Sequence, residues 1–197
     1  MASTIPSGPP PVLPLARFTV EQYHRMIASG AFGEDDGLEL IEGWVVRKMA
    51  KGPAHEYTTG RLEDLLRERI PSGWHVRNQA PVTLARSEPE PDLVIVRGGR
   101  DAYRARHPGP PDIALVVEVA DSSLATDRLK GRSYGEAGVS VYWLVNLSDR
   151  CVEVYGDPTG RATNGYATCT LLCEGDELRL EIDGEDRGGL AVSAILP

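Results

Sequence analysis

Ile113-Ala114-Leu115-Val116-Val117-Glu118-Val119, then the segment from Ser122 to Ala137, then Val141-Tyr142-Trp143-Leu144-Val145 is the stretch that decides the fold. Both apolar runs lack alternation, as expected of interior strands covered on two faces. Ser122 or Ser123 can cap a helix between them, and Gly138 stops it after Ala137. Strand, helix, strand at this spacing predicts a right-handed parallel crossover. Upstream, Pro91-Asp92-Leu93-Val94-Ile95-Val96 is a third run of the same kind. The expected class is therefore α/β (α+β), with a sheet flanked by helices.

Outward from this centre the pattern stays local. Thr19 and Gln22 have capping-box spacing, which predicts a short helix to about Ser29. Asp35-Asp36-Gly37 reads as a turn, and Leu38–Ile41 with Trp44–Met49 as a hairpin around Glu42-Gly43. Thr58, Leu62, Leu65, Leu66 and Ile70 lie at helical spacing, giving a helix from Ala54 to Ile70. Trp74–Arg77 and Val82–Ala85 are expected as short strands. Cys151–Tyr155 should pair with the Val141–Val145 strand. Tyr166–Leu172 and Leu178–Ile182 read as peripheral strands around an acidic turn, and Gly188–Leu196 as a short terminal helix. Residues 1–16 hold five prolines and are expected to form an extended, flexible arm. Residues 17–197 are expected to form a single domain.

Bulk properties exclude several classes. With 197 residues, 41 % hydrophobic and 25 % charged, the chain has the composition of a globular protein. It lacks an apolar run long enough for a membrane span and a secretion signal at its start, so a cytoplasmic protein is expected. Three cysteines, Cys151, Cys169 and Cys173, without C-x-x-C spacing read as small buried or half-buried thiols. The four histidines are scattered, which argues against zinc. The net charge of −8 disfavours broad non-specific nucleic-acid binding. That charge is uneven, however. Arg97, Arg100, Arg104 and Arg106 are opposed only by Asp101 in their segment, and are candidate phosphate contacts.

Two acids on core strands are the chemical clue. Asp92 enters one strand behind Pro91, and Glu118 lies near the end of another. Burying two carboxylates costs several kcal/mol each unless a cation compensates them. Hard oxygen ligands suit Mg²⁺ or Mn²⁺. Lys130, twelve positions after Glu118, shares a helix face with Asp127 and Tyr134. If the crossover helix folds back over Glu118, its ammonium can orient water and stabilise charge on a phosphate. Two acids, a divalent cation and a lysine are the apparatus of phosphodiester hydrolysis.

The same residues carry a family resemblance. Glu88-Pro89-Glu90-Pro91-Asp92-Leu93-Val94-Ile95-Val96 and Val117-Glu118-Val119 through Lys130 resemble the two signatures of the Uma-two family of restriction-endonuclease-like proteins. Tyr134, Gly138-Val139 and Tyr142-Trp143-Leu144-Val145 continue the likeness, as do Glu39-Leu40-Ile41-Glu42-Gly43, His55 and Gln79-Ala80-Pro81-Val82. It covers about residues 17–155. That family is assigned to the PD-(D/E)XK nuclease superfamily, which implies a restriction-endonuclease-like fold. It also implies Pro91-Asp92 as the PD, Glu118 as the second acid and Lys130 as the lysine. The superfamily lysine ordinarily stands two residues after the acid, where this chain has Ala120; in this family it is thought to come from the following helix, as Lys130 would.

The resulting expectation is a metal-dependent endonuclease acting on nucleic acid, with DNA the expected substrate. Asp92, Glu118 and the Val119 carbonyl are the candidate ligands for Mg²⁺ or Mn²⁺, and Asp92, Glu118 and Lys130 the catalytic set. Glu39, His55, Gln79, Asp127 and Tyr134 are candidate auxiliaries. A homodimer is expected for duplex cutting. The alternative is an inactive nuclease-fold module for interaction or nucleic-acid binding. A sugar hydrolase using two carboxylates stands third, since only 6 % of residues are aromatic.

Overall fold

A computed structural model describes residues 15–33 and 36–197. Most of the proline-rich segment and Asp35 lie outside the described residues. The elements are α1 (Val20–Ala28), β1 (Leu38–Ile41), β2 (Trp44–Arg47), α2 (Pro53–Arg67), β3 (Trp74–Asn78), β4 (Leu93–Arg97), β5 (Ile113–Ala120), α3 (Leu124–Ala137), β6 (Tyr142–Asn146), β7 (Cys151–Pro158), β8 (Tyr166–Cys173), β9 (Glu177–Ile182) and β10 (Glu185–Ala191). Six strands form one mixed sheet in the order β3-β4-β5-β6-β7-β8. Only β5 and β6 run parallel, and α3 is the crossover between them. The remaining neighbours are antiparallel. This is a mixed α/β architecture of the restriction-endonuclease-like kind.

Strand alternation divides the core in two. Leu93, Ile95, Leu115, Val117, Val119, Trp143 and Val145 meet Leu62 and Leu66 of α2 and Leu178, Leu180 and Ile182 of β9. Val94, Val96, Val116, Ala120, Tyr142 and Leu144 face Tyr134 of α3. Both faces are covered, which is why these strands carry no polar alternation. The capping box forms as its spacing predicts: the Thr19 hydroxyl accepts from Gln22 N–H, and Gln22 returns the bond. The β1–β2 turn has left-handed φ at both Glu42 (50°) and Gly43 (81°), the geometry a two-residue hairpin requires.

Close approach of α3 to the sheet depends on two glycines one turn apart. A Cβ on Gly131 would stand 2.6 Å from the Tyr142 ring, and one on Gly135 2.4 Å from the Gly165 backbone. The Tyr142 ring has little room to move and the Gly165 backbone less. Gly135→Ala is expected to destabilise the protein by about 1–3 kcal/mol through overpacking. A denaturant midpoint that does not move would show that α3 can lift freely.

Three expectations need correction. Val82–Ala85 is not a strand; Val82 and Leu84 are buried in an irregular segment. Gly188–Leu196 is not a terminal helix: Glu185–Ala191 is a strand, followed by a 3-10 turn at Val192–Ala194. Strand β9 pairs with β10 in a hairpin separate from the main sheet. Its alternating Leu178, Leu180 and Ile182 anchor that hairpin in the core.

The third concerns cysteine. Cys151 and Cys173 face each other where β7 begins and β8 ends, and they form a disulfide; Cys169 is free and exposed. The loop they close spans 22 residues, so reduction is expected to remove about 3 kcal/mol of stability. A melting temperature indifferent to dithiothreitol would refute this. Disulfides are uncommon in a reducing cytosol.

Candidate active site

The β4–β5 register brings the two acids together. Leu93 pairs with Val117 in this antiparallel ladder, so the next step sets Asp92 opposite Glu118. Residues opposed in this way share a face, with Cβ atoms about 5 Å apart. By alternation that is the face covered by α3. The helix then delivers Lys130, whose Nζ lies 3.3 Å from Glu118 Oε1 and 3.0 Å from Glu39 Oε1. Asp127 Oδ1 is 3.9 Å from the same ammonium. One turn further on, the Tyr134 hydroxyl donates to Glu118 Oε1 at 2.9 Å.

Glu39 arrives from a different part of the chain. The Glu88 N–H donates to the Leu40 carbonyl, docking β1 against the segment that leads into β4. The Glu90 N–H donates to Glu39 Oε2 at 3.2 Å. Glu39, Asp92, Glu118 and Asp127 are all buried. They line one cavity of about 210 Å³ together with His55, Gln79, Val119 and Lys130.

Asp92 is held on both oxygens. Its Oδ2 accepts the Val119 N–H at 2.9 Å and a bond from His55 Nε2 at 3.0 Å; its Oδ1 accepts from Lys51 Nζ at 2.8 Å. Burial alone would raise this carboxyl, but the His55 hydrogen bond and the Lys51 charge hold it below its ordinary value. Glu118 behaves oppositely. Burial pushes it well above the usual carboxylate range; Lys130 pulls it down, while Asp92, Asp127 and Glu39 push it further up. Asp127 is raised mainly by burial, against the Ser123 hydrogen bond and Lys130. Burial would lower Lys130, yet the charges of Glu118, Glu39 and Asp127 outweigh it and keep the ammonium protonated far past neutrality.

Every acid, lysine and auxiliary residue singled out from the sequence therefore reaches this cavity or touches a residue that lines it. Gln79 is seated by an unusual backbone: its φ is 45°, and its N–H donates to the Asp92 carbonyl. The Val119 N–H points at Asp92, and in an extended strand the carbonyl of the same residue faces the same edge. The four arginines do not come here. Arg97 ends β4, about 16 Å from Asp92 at strand rise. It pairs with Asp183, while Arg104 pairs with Asp101 and Arg106 with Asp112. Arg100 lies near Glu63 and Tyr103, on another depression. An antiparallel strand carries its far end away from the site, so adjacency in sequence is misleading at this point.

Lys51 was not legible in the sequence, nor were Arg47, Lys48 and Glu90, which also line the cavity. Lys51 and Lys48 fall in the irregular segment between β2 and α2, where no periodicity assigns a direction. Their one signal is compositional: Arg47, Lys48 and Lys51 form a basic run directly before the α2 start that carries His55.

The family model for Uma2, described as "Putative restriction endonuclease", matches residues 20–186. The chain belongs to this family. Among solved structures, one titled as a "putative nuclease belonging to DUF820" from Anabaena variabilis ATCC 29413 is similar in fold, with a TM-score of 0.65 at 13 % identity. The match covers 90 % of this chain and 97 % of that one. No curated protein matches. The family supports a nuclease, and the structural likeness shows the fold. No helix among the described residues is long and apolar enough to cross a membrane.

Proposed function

We propose that this Uma2-family chain is a divalent-metal-dependent endonuclease that hydrolyses phosphodiester bonds, with DNA as its substrate. The observation that carries the reading is the pairing of Asp92 and Glu118 across one strand ladder, with the Lys130 ammonium 3.3 Å from Glu118.

The donor set fits a hard cation. Four buried carboxylates (Glu39, Asp92, Glu118 and Asp127) share the cavity with two ammoniums, Lys51 and Lys130. With Glu118 ionised, that excess of negative charge would be compensated by one divalent ion. The Tyr134 hydroxyl and the Lys130 ammonium both reach Glu118 through Oε1. No three His, Cys, Asp or Glu side chains there form a ready-made cage. Two carboxylates and the Val119 carbonyl are instead the sparse set with which Mg²⁺ or Mn²⁺ keeps several waters.

When bound, such an ion supplies Lewis-acid stabilisation of the phosphate and a more acidic water. The chain supplies the rest. Asp92, Glu118 and the Val119 carbonyl would hold the ion. Lys130 remains charged at neutral pH, so it stabilises developing negative charge and orients water; it is not a general base. Tyr134 fixes Glu118, His55 fixes Asp92, and Glu39 fixes Lys130. The cavity wall has no Trp, Tyr or Phe among its lining residues, which leaves a sugar hydrolase without a platform.

The proposed assembly is a homodimer, because two strands need two sites, and the proposed setting is the cytoplasm. The test is Mg²⁺- or Mn²⁺-dependent nicking of supercoiled DNA, expected to fall about 10³-fold or more in Asp92→Ala. Folded wild-type protein that cleaves neither duplex, single-stranded or structured DNA nor RNA would sink this reading. It would leave the alternative, an inactive binding module on the same fold, which the net charge of −8 favours.

A further inference from the structure

The cavity holds two ammonium groups, and they are mounted differently. Lys130 stands mid-helix in α3 with 8 % of its side chain exposed, and three carboxylates share its Nζ. Lys51 lies in the irregular segment between β2 and α2, and 30 % of its side chain is exposed. Among the described residues it contacts one acid, through the Oδ1 of Asp92. The other oxygen of Asp92 is held from within, by the buried Val119 N–H and His55. Asp92 thus has an inner oxygen fixed by the fold and an outer oxygen covered by a tethered cation.

We propose that Lys51 is a displaceable counterion: its ammonium occupies the outer seat of Asp92 until a divalent cation takes that seat, and then turns to a phosphodiester at the cavity mouth. The inference rests on the nuclease reading and adds to it a positioning residue that the metal must move. An ammonium and a divalent ion on one carboxylate oxygen repel strongly, since the Coulomb energy scales with the charge product and inversely with distance. Lys130 cannot yield, because leaving would strand three buried acids. Lys51 can, because its segment has no helix or strand bonds to break and its stem already reaches solvent. Its destination is the basic mouth of the cavity. Arg47 and Lys48 line the same mouth, and Lys48 is already paired with Glu90 at 2.6 Å. A released Lys51 adds an uncommitted positive charge there, where a nucleic-acid backbone would approach a chain that is otherwise acidic.

The full-length protein tests this with two probes: MnCl₂ alone, followed by calorimetry, and a fluorescein-labelled DNA duplex in CaCl₂, followed by anisotropy. Lys51→Met is expected to bind Mn²⁺ about fivefold more tightly and the duplex about fivefold more weakly. Lys51→Arg, which keeps the charge, is expected to return both constants towards wild type. The opposed signs separate this role from a structural one, which would weaken both. Mn²⁺ affinity unchanged or reduced in Lys51→Met overturns the proposal, and so does an unchanged duplex affinity. Equal Mn²⁺ binding by wild type and Asp92→Asn would overturn the nuclease reading itself, and this proposal with it.

Discussion

Lys130→Met is expected to lower stability by about 3–5 kcal/mol, the cost of leaving buried charge without its partner. For a chain of this length that is a fall in Tm on the order of 10 °C. Methionine nearly matches the lysine stem in volume, so the loss isolates the charge from the packing. Glu39 at 3.0 Å, Glu118 at 3.3 Å and Asp127 at 3.9 Å would be left facing one another around an uncharged thioether. The sign of the lysine's own titration agrees. Its folded pKa is raised, so its contribution is fully present below the ordinary 10.5 and is lost only as pH climbs through the folded value. At neutral pH the whole effect is available to lose.

Two controls make the result interpretable. Adding Glu118→Gln to Lys130→Met removes one of the uncompensated charges and should recover part of the lost stability. Mn²⁺ should stabilise Lys130→Met more than wild type, since the ion then compensates acids that have no other cation. Scanning calorimetry in metal-free buffer reads the first effect and a metal titration the second. A Lys130→Met protein as stable as wild type would mean that the ammonium does not compensate these acids, and the hydrolytic reading would lose its third member.

How far the site could be read from the sequence depends on how each residue is carried. Asp92 and Glu118 stood out because acids in two-faced apolar runs contradict the burial those runs predict. Lys130 followed from helical spacing and the crossover. Gly138 marked the helix end, and it does adopt the left-handed φ, 87°. What escaped was set by tertiary path. Lys51 reaches Asp92 through an irregular segment whose direction no period encodes. Cys151 and Cys173 meet because the β7–β8 ladder starts at the one and ends at the other, and register over a long hairpin is not written in local composition. Gly188–Leu196 reads as a short terminal helix, yet Gly189 lies in β10, where a Cβ would stand 2.0 Å from the Glu177 side chain. The arginines after β4 lie apart from the acids because adjacency in sequence becomes opposite ends of a strand.

Glu118→Gln is expected to do two things at once: abolish metal-dependent cleavage, by about 10³-fold or more, and stabilise the metal-free protein at neutral pH by about 1–2 kcal/mol. The second effect follows from the sign of the titration. Glu118 is raised well above its ordinary 4.5, chiefly by burial. Between 4.5 and that higher folded value the native state binds more protons than the unfolded chain, so stability falls as pH rises through the window. Asp92 runs the other way: its folded pKa is depressed, and its contribution is lost only in acid, as pH drops through that lower value. Glutamine keeps an oxygen for the Tyr134 hydroxyl and removes the charge that the site tolerates poorly. Lys130 retains Glu39 and Asp127 as partners, so the substitution creates no orphaned cation. The Glu118→Gln protein should therefore show a flatter stability profile above pH 4.5 and a smaller rise in Tm on adding Mn²⁺. A substitution that costs stability at pH 7 and leaves the Mn²⁺ response unchanged would mean that Glu118 serves as a structural partner of Lys130, and that no cation is held against it.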